Sequence, residues 1–359
     1  MPTLATESPR KTPWLFSPWV DLCTFLGSAV LALLLLLVGY FLGWLESDTP
    51  EWMWIIAILM VDVAHVYATG FRVYFDRTEL RKRPWLYGLT PLLAFAIGLA
   101  VYSESATVFW RILAYLAVFH FVRQQYGWVA LYRSRAKETD RTGWWIDSTA
   151  IYLATIYPLV HWHCHLPRHF YWFLRGDFAS LPSLAEQLLQ PIYWIALSVY
   201  FVRSAYRGIV DHEFNPGKDV VVFTTAVCWY VGIVTFNSDF AFTVTNVIIH
   251  GIPYMVLVYW YGSKDQPASP KTHARRIAAF LGIVWLLAYF EELLWDVGLW
   301  HERGWLFGMA WDLGALELLL VPLLAVPQIT HYVLDGFIWR RSSNADFSNM
   351  IASELKPSA

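Results

Sequence analysis

Charge is scarce in this chain, and cysteine scarcer. Asp, Glu, Lys and Arg make up 15% of the 359 residues, where an ordinary soluble domain carries about 25%. Too few charges remain to cover a water-exposed surface of this size. With 26 Lys and Arg against 28 Asp and Glu, the net charge is −2, which excludes a basic nucleic-acid binder. Three cysteines, Cys23, Cys164 and Cys228, are too scattered for a disulfide framework or a cysteine-based zinc site. What the chain has in abundance is apolar and aromatic residues, 57% and 18% of the total. That balance excludes disorder and points to a polytopic membrane protein, with Trp and Tyr suited to the interfaces.

A hydrocarbon core of about 30 Å takes roughly 20 apolar residues of helix. Ten such runs are present, at about 22–45, 52–75, 86–102, 107–132, 144–162, 187–206, 219–236, 241–261, 277–296 and 308–339. The expected fold is therefore an all-α bundle of about ten transmembrane helices, with eight as the alternative. The first run is too long for a signal-peptide core and is read as a retained span. The last holds Pro322 and Pro327 and is expected to kink.

Lys and Arg gather on alternate loops. All except Arg72, Arg111, Arg123, Arg168, Arg175 and Arg303 lie in segments that share one side when the N-terminus is cytoplasmic. This positive-inside pattern places both termini in the cytoplasm, as in a bacterial inner membrane or its equivalent. Residues 1–341 read as one transmembrane domain, and 342–359 as a polar, disordered tail. No segment is long enough for a soluble catalytic domain, so any chemistry belongs to the bundle or to the stretch from about 161 to 186.

Ionisable residues inside spans cost free energy and mark functional sites. The second span carries Asp62, His65, Thr69, Arg72 and Asp76 at steps of three and four, one stripe of a helix. Three other spans each bear a histidine: His120 with Arg123 and Gln124, His250 with Asn246, and His331 with Gln328 and Asp335. Counting from each histidine to the next basic flank gives 12, 13, 14 and 9 residues. At about 1.5 Å per residue this puts all four imidazoles roughly 14 to 21 Å from one face, a single layer near the midplane.

Four imidazoles in one layer suit a metal centre, since neutral imidazole is the commonest metal ligand. His65, His120, His250 and His331 are the expected ligands. Asp62 and Asp335 are expected as ligands or orienting partners, Gln124 and Asn246 as groups that set histidine tautomers. Arg72 and Arg123 are expected to hold an anionic group or to balance the aspartates, Arg72 with Asp76 as one partner. Non-haem iron is the leading cofactor, with haem b on two of the histidines or copper as variants. The corresponding function is a membrane oxidoreductase acting on a lipophilic small molecule from the bilayer. Two other readings use the same groups: a proton- or ion-coupled carrier, and a structural protein without cofactor whose polar groups only pack.

Outside this layer stands a histidine run, His161, His163, His165 and His169, with Cys164 inside it. If extended, the first three share a face; if helical, His161 pairs with His165 and His165 with His169. Either can hold copper or zinc, but an interfacial turn is the simpler reading. Glu291, Glu292, Asp296, Glu302 and Asp312 read as the polar rim of the bundle.

No HExxH, GxSxG, P-loop, strand-associated GxGxxG or CxxCH motif is present. His212-Glu213 and His301-Glu302 lack the second histidine of a zinc protease. The histidine boxes of the membrane fatty-acid desaturases and hydroxylases are also missing. In arrangement alone, single histidines on separate spans, the chain resembles the bacterial membrane carotenoid-cleaving dioxygenases. That likeness implies a reaction class and assigns no residue.

Overall fold

Most of the long helices begin at residues suited to starting one. Ser105, Asp140, Asn215, Ser238 and Ser269 each accept a backbone N–H from the turn that follows. Pro84, Pro216 and Pro270 stand in first turns, where a missing N–H has no helical partner to lose. The computed structural model describes residues 13–46, 49–263 and 269–352, and among the described residues there is no strand.

Ten long helices follow in chain order: α1 (Pro18–Phe41), α2 (Glu51–Arg72), α3 (Pro84–Glu104) and α4 (Ala106–Arg135), α5 (Arg141–Cys164) and α6 (Ser183–Ile209), then α7 (Pro216–Thr235), α8 (Asp239–Ser263), α9 (Pro270–Trp300) and α10 (Gly314–Ile338). Eight are long and apolar enough to cross a membrane; α5 and α6 have the length and fall short in composition. α5 carries Asp147 and two histidines, and α6 carries Glu186, Arg203 and Arg207. These two helices are consecutive and pack against each other. α10 breaks at Ala325 into Glu317–Leu324 and Val326–Ile338, where Pro322 and Pro327 remove backbone donors.

Of the eight candidate spans, α8 is the most buried and α3 the least. α8 packs on α1, α2 and α4, while α2 also meets α9 and α10, and α4 meets α5, α7 and α10. α2, α4, α8 and α10, which carry His65, His120, His250 and His331, thus share the middle of the bundle. Five stretches among the described residues wind more widely than an α-helix, with an i→i+5 pattern, and two of them bear on the histidines: Trp54–Val63 in α2 and Thr243–Val247 in α8. Each ends just before a histidine, His65 and His250, and such wide turns reset the face presented by the residues after them.

The polar tail needs correction. Residues 345–352 form a helix, α11 (Ala345–Ala352), with Phe347 and Ile351 buried against Tyr261 and Trp339. Asn344 caps it by accepting from the Phe347 N–H at 3.1 Å, and Arg135 donates to the Ile351 carbonyl at 3.0 Å. Two apolar residues four apart were enough to fold the segment onto the bundle. The remaining tail, 353–359, lies outside the described residues.

Candidate metal centre

His65, His120, His250 and His331 come from four different helices and meet in the bundle, each 4% exposed or less. Their ring centroids trace a closed four-membered circuit: His65 to His250 4.7 Å, His250 to His120 5.1 Å, His120 to His331 4.5 Å, and His331 to His65 4.9 Å. Neighbouring rings stand edge to face, and the diagonal pair His65 and His120, 6.4 Å apart, is nearly parallel at 16°. Nε2 of His250 is 3.2 Å from Nε2 of His65, and Nε2 of His331 is 3.1 Å from Nε2 of His120. His65, His120 and His331 offer ring nitrogens that all lie within 4.8 Å of one another.

Those separations decide the chemistry. With metal–nitrogen bonds of about 2.1 Å, adjacent ligand atoms stand roughly 3.0 Å apart in an octahedron and 3.4 Å in a tetrahedron. The two Nε2 pairs fall in that range, so the nitrogens already have the spacing of neighbouring ligands.

With Asp335 ionised, a one-way chain of hydrogen bonds fixes the proton on His331. Asp335, as a carboxylate, only accepts, and Tyr254 donates to its Oδ1 at 2.6 Å. The Tyr254 oxygen therefore takes the Thr69 hydroxyl hydrogen at 2.8 Å. Thr69 Oγ1 is then left to accept from Nδ1 of His331 at 2.7 Å. Nδ1 carries the proton, and Nε2 presents a bare lone pair toward His120. Asp62 Oδ1 lies 3.7 Å from Nδ1 of His65, the side on which a ligating imidazole needs a partner. Two rings flank the set: Phe121 stacks on His250 at 3.6 Å, and Tyr332 on His120 at 4.9 Å.

Asp335 lies beside two of the imidazoles, with Oδ1 3.7 Å from Nδ1 of His331 and Oδ2 3.9 Å from Nε2 of His120. Four expectations are corrected. Gln124 donates to the His250 backbone carbonyl at 2.8 Å and sets no tautomer. Asn246 spends its amide on the Phe242 carbonyl and Thr245 Oγ1, inside the wide turn of its own helix. Arg123 is exposed and lies over Tyr126 at 4.9 Å, with a hydrogen bond to Tyr152. Arg72 is buried away from the imidazoles, bonded to Glu79 at 3.0 Å and 4.2 Å above the Tyr261 ring. Its partner is Glu79 in the short helix Arg77–Lys82, and Asp76 instead caps that helix.

A cavity of about 470 Å³ reaches His65 and Asp62 from the end of the bundle that carries the 165–182 loop. Aromatic residues dominate its wall, among them Trp54, Trp110, Trp295, Trp300 and Tyr332. The loop residues Phe170 to Arg175 form its lid side, shaped by Asp177, which accepts from the N–H groups of Trp172 and Phe173 at 2.8 Å. The acidic group read as a rim is partly internal: Glu292 lines the cavity, and Glu291 is buried, accepting from the Trp295 indole at 3.2 Å. On the other side of the imidazoles, Tyr254, Trp339 and the Arg72–Glu79 pair fill the bundle.

The sequence reading missed Tyr254, Phe121 and Tyr332. Tyr254 lies four residues after His250, and its spacing matches the 3-and-4 rule that selected the others. A tyrosine, however, is common enough in this chain to carry no signal alone. Comparison with protein-family models, with curated proteins and with solved structures finds no match to this chain.

Proposed function

We propose that the protein is a membrane-embedded, metal-dependent oxidoreductase acting on a lipophilic small molecule. The observation that carries the reading is the circuit of four buried imidazoles with Nε2 pairs at 3.1 and 3.2 Å. An all-imidazole set with carboxylates nearby is a donor set suited to non-haem iron, which when bound supplies oxygen activation. His65, His120, His250 and His331 hold the ion. Thr69, Tyr254 and Asp335 hold the proton of His331 on Nδ1, and Asp62 faces Nδ1 of His65.

The aromatic cavity supplies the rest. At about 470 Å³ it falls within the roughly 300–1,000 Å³ of small-molecule sites, and its rings offer contact to the apolar part of a substrate beside the charged groups of Asp62, Arg175, Glu292, Glu302 and Arg303. The cavity reaches the imidazoles from one end, and among the described residues Tyr254, Trp339 and Arg72 fill the opposite side, which favours an enzyme pocket over the two-sided path of a carrier. In this reading all ten long helices cross a membrane such as the bacterial inner membrane, both termini are cytoplasmic, and the cavity opens outward. Because α5 and α6 are consecutive, the direction of every other helix is the same whether or not they cross.

The test is elemental analysis with a UV–visible spectrum of the detergent-purified full chain. One equivalent of iron per chain is expected, falling to less than a tenth in His65→Ala and His331→Ala. A Soret band would replace non-haem iron with haem. Wild-type protein without stoichiometric transition metal overturns the reading.

A further inference from the structure

Away from the four imidazoles, a second group of metal-ligating side chains sits at the root of the loop that covers the cavity. The histidine run is helical through Cys164, and this separates its members. His163 turns inward, with Nδ1 2.6 Å from the Leu159 carbonyl and Nε2 3.1 Å from the Tyr115 hydroxyl. Cys164 faces the Pro182 carbonyl at 3.3 Å. His161 and His165, one turn apart, stack with centroids 4.1 Å apart.

Glu186, in the first turn of α6, meets both imidazoles. Its Oε1 is 2.6 Å from Nδ1 of His161 and its Oε2 is 3.5 Å from Nδ1 of His165. Ligand atoms from the three residues all lie within 4.8 Å of one another. His161 and Glu186 are largely shielded, 13% and 17% exposed, while His165 is half-open at 47%.

We propose that His161, His165 and Glu186 bind a divalent transition-metal ion of the zinc class, which fastens the two ends of the cavity-covering loop. Two imidazoles four apart, one in the last turn of α5 and one at its C-cap, and one carboxylate from the neighbouring helix make a three-ligand set, with the fourth position open to water through the exposed side of His165. Nδ1 of His165 is 2.8 Å from the His161 carbonyl. A carbonyl only accepts, so that nitrogen carries the proton and Nε2 carries the lone pair. In the metal-free form, the His161 proton sits on Nδ1 against Glu186. Binding moves it to Nε2 and leaves Nδ1 for the ion, so the imidazole stays neutral and no net proton is released there.

The position gives the ion its role. The chain between His165 and Glu186 supplies Phe170 to Arg175 to the cavity wall. Joining His161 in the last turn of α5 and His165 at its C-cap to Glu186 in the first turn of α6 closes that loop at its base, with no ligand taken from 166–182. Arg168 reaches from the loop, its Nη1 3.5 Å from Nε2 of His161 and its Nη2 on the Phe236 carbonyl at 2.7 Å. This neighbouring cation opposes the ion, so the site is tuned weaker than its ligands alone would make it.

The proposal is independent of the chemistry at the midplane, and its test requires no turnover. Full-length protein in detergent is stripped with chelator and dialysed against Zn²⁺, and bound zinc is counted. Wild type is expected to bind one equivalent more than His165→Ala and Glu186→Gln, with His169→Ala matching wild type and Arg168→Gln binding more tightly. Gel-filtration profiles identify any variant that has lost its fold, and the remaining ligand variant then decides. Trypsin cleavage at Arg168 and Arg175 gives a second readout. At ten times Kd, zinc is expected to slow it about tenfold in wild type and not in Glu186→Gln. Equal zinc in wild type and in both ligand variants overturns the proposal, leaving a hydrogen-bonded His–Glu pair.

Discussion

Nε2 of His331 lies 3.1 Å from Nε2 of His120, although the two residues are 211 apart in sequence. Neither nitrogen faces a carboxylate at hydrogen-bonding distance, the closest being Asp335 Oδ2 at 3.9 Å from His120. Hydrogen bonds between neutral imidazoles would satisfy this pair and the His65–His250 pair at 3.2 Å alike, and the proposed ion would replace both. Two such pairs, closed into one circuit of rings, are compatible with the proposed shared ion, for which His65, His120 and His331 bring ring nitrogens within 4.8 Å of one another.

The chain from His331 through Thr69 and Tyr254 to Asp335 acts on that pair at a distance. Removing the phenolic hydroxyl in Tyr254→Phe leaves Thr69 free to turn its hydrogen toward Nδ1 of His331, which then loses its reason to keep the proton there. Outer partners of ligating histidines typically contribute 10–100-fold to metal affinity. Tyr254→Phe and Thr69→Val are expected to weaken iron binding by about that factor without abolishing it. Competition with a chelator of known affinity measures the change, and an unchanged affinity in both variants would remove the chain from the centre.

Much of this centre could be read from sequence because a membrane helix converts residue number into depth. Four histidines at similar counts from basic flanks had to share a layer, and steps of three and four had to share a face. Rotation about each helix axis was less accessible. Arg123 and Gln124 follow His120 by three and four residues, about 60° and 40° away from it in opposite directions. That difference sends Gln124 to α8 and Arg123 out over Tyr126 and Tyr152. The wide turns before His65 and His250 shift the face again, and no residue pattern announced them. The loop wall and α11 depend on contacts between distant segments, for which periodicity carries no information.

Arg72 and Glu79 form a buried pair, at 1% and 2% exposure, beside the cation–π contact to Tyr261. Deleting Glu79 strands the Arg72 charge in the bundle, and deleting Arg72 leaves the buried Glu79 to Lys82 at 3.2 Å and the Tyr87 hydroxyl at 2.6 Å; breaking buried pairs costs about 3–5 kcal/mol. Arg72→Leu is therefore expected to lower the thermal midpoint strongly while leaving the metal stoichiometry of the folded fraction intact. Glu79→Gln should behave alike. Loss of metal at unchanged stability would return Arg72 to the centre.

The loop between α4 and α5 gives a pH signature. Burial alone would raise the Glu138 carboxyl, but Lys218 at 2.7 Å, the Asn215 amide at 2.8 Å and Arg207 at 3.2 Å outweigh it and hold it below its ordinary value of 4.5. A depressed folded value means that the unfolded chain takes up the proton first. The stabilisation is thus complete well above pH 4.5 and fades as pH falls toward the folded value. The thermal midpoint is expected to fall in this acid range, and Glu138→Gln to be less stable at neutral pH with a shallower acid decline. Parallel pH profiles for the two proteins would show that Glu138 does not carry this effect.

Gly251 sets how closely α8 approaches α2, immediately beside His250. A β-carbon there would stand 2.6 Å from Val61 Cγ1 and 2.9 Å from the Val61 carbonyl oxygen. The side chain can turn away, but the carbonyl belongs to the helix that carries His65 one turn later. Relief therefore has to come from separating the two helices, which opens the 3.2 Å Nε2 pair of His65 and His250. Overpacking of this kind costs about 1–3 kcal/mol, so Gly251→Ala is expected to lower both the thermal midpoint and the iron affinity. Gly127 in α4 is the control, since a β-carbon there meets nothing within 4 Å. Replacing a helical glycine by alanine at an open position gains roughly 0.5–1 kcal/mol. Gly127→Ala should therefore raise the midpoint and leave iron untouched, and the same response from both glycines would show that the α2–α8 approach does not govern the centre.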